Sequence, residues 1–183
     1  ADEVSGILEK LEIRWLANPD PNLHYIIASD FADADQEILP GDAEIEAALR
    51  AGVDRLNLQH GVTAKAPFFL LHRPRRFNPR EGCWMGWERK RGKLEQFNSF
   101  VMDGAADGFS VTAGDVQRLV GLPYAIVLDA DTELPPTAAM RLVGLIAHPL
   151  NCARFDAGTG RVVAGYTILQ PRIEILPQPG GGT

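Results

Sequence analysis

The chain has 183 residues, 45% of them apolar and 23% charged, which is enough for a compact domain with a real core and ordinary for a soluble globular protein. Its net charge of -6 argues against a general nucleic-acid binder or a ligand of acidic membranes. Two distant cysteines, Cys83 and Cys152, argue against a disulfide framework and fit a reducing compartment, and four scattered histidines give no zinc-ligand spacing.

The elements follow in chain order. Val4, Leu8, Leu11 and Leu16 recur at helical spacing, so Val4–Ala17 is predicted as an amphipathic helix that ends at Asn18-Pro19-Asp20-Pro21. Leu23–Ala28 is β-branched and aromatic and predicts a strand, which runs into the acidic stretch Asp30–Asp35. Asp42–Leu56 is a second predicted helix, with Asp42 as N-cap and Ile45, Leu49 and Val53 on one face. Phe68–Leu71 reads as a buried strand and Trp87–Met102 as a helix that starts rich in Lys and Arg. Tyr124–Leu128 is a further predicted strand, Pro136–Ala147 a helix opened by prolines, and Val162–Leu169 a last strand. Helix and strand alternating at short spacing favours an α/β domain with a largely parallel sheet. No apolar stretch approaches the length that spans a bilayer, and no internal repeat appears. The start at Ala1-Asp2-Glu3 and the Pro/Gly-rich tail, 177–183, read as the ends of a piece cut from something larger, with residues 1–176 as its folded part.

In open α/β sheets, ligands bind outside the carboxyl ends of the strands. Two predicted strands end in carboxylates, one before Asp30 and one before Asp129 and Asp131. In extended chain, residues two apart point to the same side, so Asp129 and Asp131 could aim at one point. Two close carboxylates repel unless a cation lies between them, and a hard divalent ion, Mg²⁺ or Mn²⁺, shared with a diphosphate relieves that cost. A polar turn in which Asp131 or Thr132 caps the next helix is an equal rival from spacing alone. Asp33-Ala34-Asp35 lacks the glycine and closing glutamate of a calcium loop. Asp30 is either a turn residue or a hydrogen-bond acceptor for a ribose or base.

Of the 18 Lys and Arg residues, a block falls between Arg73 and Lys93: Arg73, Arg75, Arg76, Arg80, Arg89, Lys90, Arg91 and Lys93, interleaved with Phe77, Trp84 and Trp87. Such a block serves as a solvated basic face, as a track for single-stranded nucleic acid, or as charge complement to a diphosphate. The acidic chain and the lack of a nucleic-acid motif count against the second.

Three stretches together, Phe77–Asn98 (FNPREGCWMGWERKRGKLEQFN), Tyr124–Asn151 (YAIVLDADTELPPTAAMRLVGLIAHPLN) and Gly165–Ile173 (GYTILQPRI), resemble the glycosyltransferase domain of bacterial cyclic β-1,2-glucan synthases; Leu11–Asp35 is similar to the same domain. The resemblance spans nearly the whole chain. It implies a GT-A-like, Rossmann-type nucleotide-sugar-binding sheet flanked by helices, incomplete because the opening strand is missing from the start. It also implies UDP-glucose as donor, a growing glucan as acceptor, Mg²⁺ or Mn²⁺ as cofactor, and no nucleic-acid partner. Asp129 and Asp131 match the family's Asp-x-Asp, which implies contact with metal and diphosphate. Asp30 stands where related transferases contact uridine, and Lys93 where they carry a donor-side cation. Arg91, Gln170 and Arg172 are weaker donor-side matches. The catalytic base is expected beyond Thr183, so this piece would bind donor without turnover. The parent is implied to be a large protein at the cytoplasmic face of the bacterial inner membrane, with this piece soluble.

Two other classes compete. An aspartyl-nucleophile phosphotransferase also places Asp-x-Asp after an apolar strand, but Thr132 and Glu133 depart from its signature. A non-catalytic interaction domain would use Trp84 and Trp87 as core anchors and the arginine block against a partner.

Overall fold

The computed structural model describes residues 2–64 and 66–172. They form two compact units, divided between Thr137 and Ala138. The expected tail, 177–183, lies outside the described residues.

The first unit is a three-layer α/β arrangement. Helix α1 (Asp2–Ala17) leads to strand β1 (Tyr25–Asp30), helix α2 (Asp42–Ala64) and strand β2 (Phe68–Arg73). β1 and β2 pair in parallel, from Tyr25 opposite Phe68 to Asp30 opposite Arg73. A short hairpin, β3 (Arg76–Asn78) and β4 (Cys83–Met85), then precedes helix α3 (Arg89–Asp103) and strand β5 (Val111–Ala113). β5 joins β2 antiparallel, so the sheet has order β1-β2-β5 and is mixed. Thus the α/β class holds, while the expected largely parallel sheet is realised in one pair of strands.

β2 explains the layering. Its six residues are all buried, as a strand covered on both faces must be. Phe68 and Leu70 join Val4, Leu8 and Leu11 of α1 and Leu49, Val53 and Leu56 of α2 in one core. Phe69 and Leu71 point the other way, to Phe100 of α3 and Leu119. The period-2 alternation of a strand thus separates two cores with four consecutive apolar residues. Val4, Leu8 and Leu11 are buried as their spacing predicts, but Leu16 is exposed and Trp15 packs on the core instead. On α2, Leu49 and Val53 are buried while Ile45 is exposed. Asp42 begins α2 without capping it forward: its Oδ2 accepts the Leu39 N–H at 2.8 Å and meets Arg75 Nη1 at 2.5 Å.

The structure corrects one central expectation. Tyr124–Leu128 forms no strand. A strand is stable only when its N–H and C=O groups find a ladder. β2 already has β1 and β5 on its two edges, and this segment pairs with neither β1 nor β5, leaving Val127 half exposed.

The second unit holds helix α4 (Ala138–Ile146) and a small antiparallel pair, β6 (Arg154–Phe155) with β7 (Val162–Ala164). The last predicted strand is therefore much shorter than Val162–Leu169. Gly165 has φ +75°, and a Cβ there would meet the Cys152 carbonyl, so the chain turns out of the ladder at that point. Among the described residues, no helix is long and apolar enough to cross a membrane.

Candidate functional site

The site is built around the carboxyl ends of β1 and β2. Asp30 is the last residue of β1 and Arg73 the last of β2, and the parallel register sets them side by side. Arg73 is 1% exposed, and four of its five guanidinium N–H donors find acceptors. Nε donates to Asp30 Oδ1 at 2.5 Å, Nη1 to Gln96 Oε1 at 2.7 Å and to the Trp87 carbonyl at 3.1 Å, and Nη2 to the Arg89 carbonyl at 2.9 Å. A buried cation needs such pairing, and the planar fork of arginine supplies the donors for it. Arg73 thereby ties the ends of both strands to the start of α3. Gly86 makes room: a Cβ there would lie 2.9 Å from both Arg73 Nη2 and Asp30 Cγ.

The second oxygen of Asp30 faces Lys93 Nζ at 2.9 Å. Lys90, one turn earlier on α3, reaches Asp129 Oδ1 at 2.5 Å. Residues three apart share a helix face, so a single turn of α3 carries one ammonium to each of the two acidic positions singled out in the sequence. The entry to α3 is tight, with Glu88 and Arg89 at φ 50° and 46°, a region that non-glycine residues seldom adopt. Arg89 is held there by Glu81 Oε2 at 2.5 Å and Asp33 Oδ2 at 2.9 Å. Those two carboxylates push its already high pKa further up. A cavity of about 410 Å³ opens between the hairpin and this turn, bordered by Asn78, Met85, the cations Arg80, Arg89, Lys90 and Arg91, and the carboxylates of Glu81 and Glu88.

The Asp-Ala-Asp segment is a turn: the Thr132 N–H donates to the Asp129 carbonyl at 3.1 Å. Two cations of α1 hold its backbone. Lys10 Nζ donates to the Ala130 carbonyl at 2.9 Å, and Arg14 Nη2 to the Thr132 carbonyl at 2.7 Å. Burial pushes the Arg14 pKa down from its ordinary value. Because α4 begins only at Ala138, neither Asp131 nor Thr132 caps it. The extended geometry expected for Asp129–Asp131 is replaced by this turn, which leaves both carboxylates on the surface. Mg²⁺ takes one or two carboxylates and fills its shell with water and phosphate oxygens, so Asp129 and Asp131 could hold such an ion. Among the described residues, no group of three or more His, Cys, Asp or Glu is placed to hold a metal.

Of the residues singled out in the sequence, Asp30, Lys93 and Asp129 are therefore linked through α3, and Asp131 shares the turn of Asp129. Arg91 turns to Glu88 and Glu95 and lies over the Trp87 ring at 5.9 Å. Gln170 and Arg172 belong to the second unit. Sequence reasoning missed Arg73, Gln96 and Lys90 as organisers. Arg73 did carry a signal, since it follows an apolar strand as Asp30 does. Arg75 is likewise buried against Asp42, with its guanidinium 4.6 Å from the Phe31 ring centre. The arginine block is thus only partly a solvated face. His72, before Arg73, is 1% exposed; burial pushes its pKa down, and Ser29 Oγ lies 2.9 Å from Nδ1.

No protein-family model matches the chain. Over 172 residues, 94% of its length, it is 38% identical to the cyclic β-(1,2)-glucan synthase NdvB of Rhizobium meliloti strain 1021. The match covers 6% of that relative, so the chain corresponds to a small part of a much longer protein. The resemblance carried by the three sequence stretches thus holds in direct comparison: nearly the whole chain is similar to one short segment of that cyclic β-(1,2)-glucan synthase.

Proposed function

We propose that this segment is the donor-binding part of an inverting glucosyltransferase that uses UDP-glucose to build β-1,2-glucan, on a GT-A-like sheet completed by other parts of the longer protein. One observation carries the reading: the first turn of α3 brings Lys93 to Asp30 and Lys90 to Asp129, so acidic and basic groups suited to a nucleoside diphosphate converge beside a cavity lined by four cations and two carboxylates. Asp30 accepts from the uridine; each carboxylate oxygen has capacity beyond the bonds from Arg73 and Lys93. Arg73 positions Asp30. Lys90 and Lys93 complement the charge of the diphosphate, an effect that grows as water is excluded. Asp129 and Asp131 hold Mg²⁺ or Mn²⁺, which when bound supplies charge stabilisation for the departing diphosphate.

In the reaction, an acceptor glucan hydroxyl attacks C1 of the sugar from the face opposite UDP. The new C–O bond forms as the bond from C1 to the diphosphate oxygen breaks, and UDP leaves with the electron pair. The proton goes to a general base contributed by another part of the longer protein. The test is a calorimetric titration of UDP with and without Mn²⁺, on the chain and on the Asp129→Ala, Asp131→Ala double variant. Manganese should tighten UDP binding to the chain and have no effect on the variant. Equal, metal-independent binding to both removes the proposed role.

A further inference from the structure

The β3–β4 hairpin stands apart from the main sheet and carries aromatic rings into water. Phe77 and Trp84 are direct cross-strand partners, so their side chains share one face, with ring centres 5.6 Å apart. Phe77 is 53% exposed. Trp84 is joined on its other side by Ala34: two backbone hydrogen bonds of 2.8 Å make an antiparallel bridge. Ala34, Trp84 and Phe77 therefore form one apolar row across three extended segments. The flanking positions Asn78 and Met85 point to the opposite face, where they border the charged cavity.

The row is rigidly mounted. Arg89 clamps the turn of the hairpin through Glu81 and the Ala34 loop through Asp33. That loop follows Asp30 directly, so the rings stand at the carboxyl end of β1, the side where sheets of this kind bind ligands. Two partly exposed rings offer on the order of 100–200 Å² of apolar surface, far below the roughly 1,000 Å² that a stable protein interface needs. That area matches one or two pyranose rings. A pyranose presents a face of axial C–H groups, and these carry the partial positive charge that the negative face of an aromatic ring attracts. An uncharged sugar also suits a row that carries no charge itself, set back-to-back with the charged cavity.

From this we infer that Ala34, Trp84 and Phe77 form a stacking platform for the sugar rings of a glucan chain, separate from the donor site. The identity of the glucan rests on the proposed function; the platform rests on the hairpin. The test is a titration of a β-1,2-linked gluco-oligosaccharide into the full chain, without nucleotide or metal, followed by the Trp84 indole resonance in NMR. We expect a saturable shift of that resonance, weakened about tenfold or more by Phe77→Ala and kept by Phe77→Trp. UDP binding with Mn²⁺ should be the same in all three proteins, which shows that the variants are folded. An oligosaccharide that leaves the Trp84 resonance unmoved, or binds Phe77→Ala as well as the parent chain, overturns the inference. So does concentration-dependent dimerisation abolished by Phe77→Ala, which would assign the row to a second copy. If UDP fails to bind while the oligosaccharide does, the donor assignment falls and the platform stands.

Discussion

Asp30 and Arg73 are register partners on parallel strands, and their side chains meet at 2.5 Å where both strands end. The guanidinium also serves Gln96 and two carbonyls at the start of α3, so one buried side chain fixes how α3 meets the sheet. Arg73→Met should cost about 3–5 kcal/mol, the usual penalty for removing one partner of a buried ion pair. Arg73→Lys should recover only part, because one ammonium cannot replace a fork aimed at four acceptors. Urea denaturation of the three proteins measures this. A loss under about 1 kcal/mol in Arg73→Met would show that the hub carries little stability, since that is the range of exposed pairs.

Lys90 and Asp129 present the opposite case. Both are more than half exposed, at 59% and 57%. Exposed pairs contribute about 0–1 kcal/mol. Lys90→Met should therefore move the melting temperature by no more than about 3 °C. If Lys90 complements a diphosphate, the same change weakens UDP binding in Mn²⁺ several-fold. Melting curves and calorimetry together separate the two effects, and a large thermal loss with unchanged UDP affinity would make Lys90 structural.

The layering of the fold is legible in the sequence because burial on both faces leaves a continuous apolar run, Phe68–Leu71, and helical spacing marks Leu8, Leu11, Leu49 and Val53. The chemistry of the ends is legible only in part. Asp30 and Asp129 stand out as acids after apolar runs. Their partners do not, because Arg73, Lys90 and Lys93 sit in a block where eight cations look alike and only register and helix phase tell them apart. Tyr124–Leu128 has the composition of a strand, yet composition cannot say whether a neighbouring edge is there to receive it. The β3–β4 hairpin and β5 escape because three-residue strands carry too few alternations to show a period.

Asp42 predicts an acid-dependent loss of stability. Its carboxyl is held below the ordinary value of 3.8, chiefly by the hydrogen bond from Arg75 and against the effect of burial. A carboxyl with a lower pKa in the folded state gives stabilisation that is present in full above 3.8. That stabilisation disappears as the pH falls through the depressed folded value, because the unfolded chain takes up the proton first. Asp42→Asn keeps an oxygen for Leu39 and Arg75 but cannot titrate. The stability difference between the chain and this variant should be constant from pH 7 to 5 and shrink below 3.8. Guanidinium denaturation across that range checks it, and a difference that stays flat to pH 2.5 would remove Asp42 from the acid response.

Gly92 gives a prediction whose sign opposes helix propensity. It lies inside α3 between Lys90 and Lys93, and a glycine-to-alanine change in a helix ordinarily gains about 1 kcal/mol. Here a Cβ would come 2.1 Å from the Trp87 carbonyl oxygen and 2.7 Å from the indole ring. The carbonyl cannot retreat freely, because it accepts from the buried Arg73, and Glu88 and Arg89 already hold positive φ values at this turn. Gly92→Ala should therefore destabilise the chain by about 1–3 kcal/mol, the range for overpacking a filled site. Displacing the turn should also disturb Lys90 and Lys93 together, so UDP affinity in Mn²⁺ falls along with stability. Gly6→Ala in α1 is the control: nothing lies within 4 Å of its Cβ, and it should gain the stability that propensity promises. A stabilised Gly92→Ala would mean that the start of α3 has room to spare, and the close packing that sets both lysines would lose its basis.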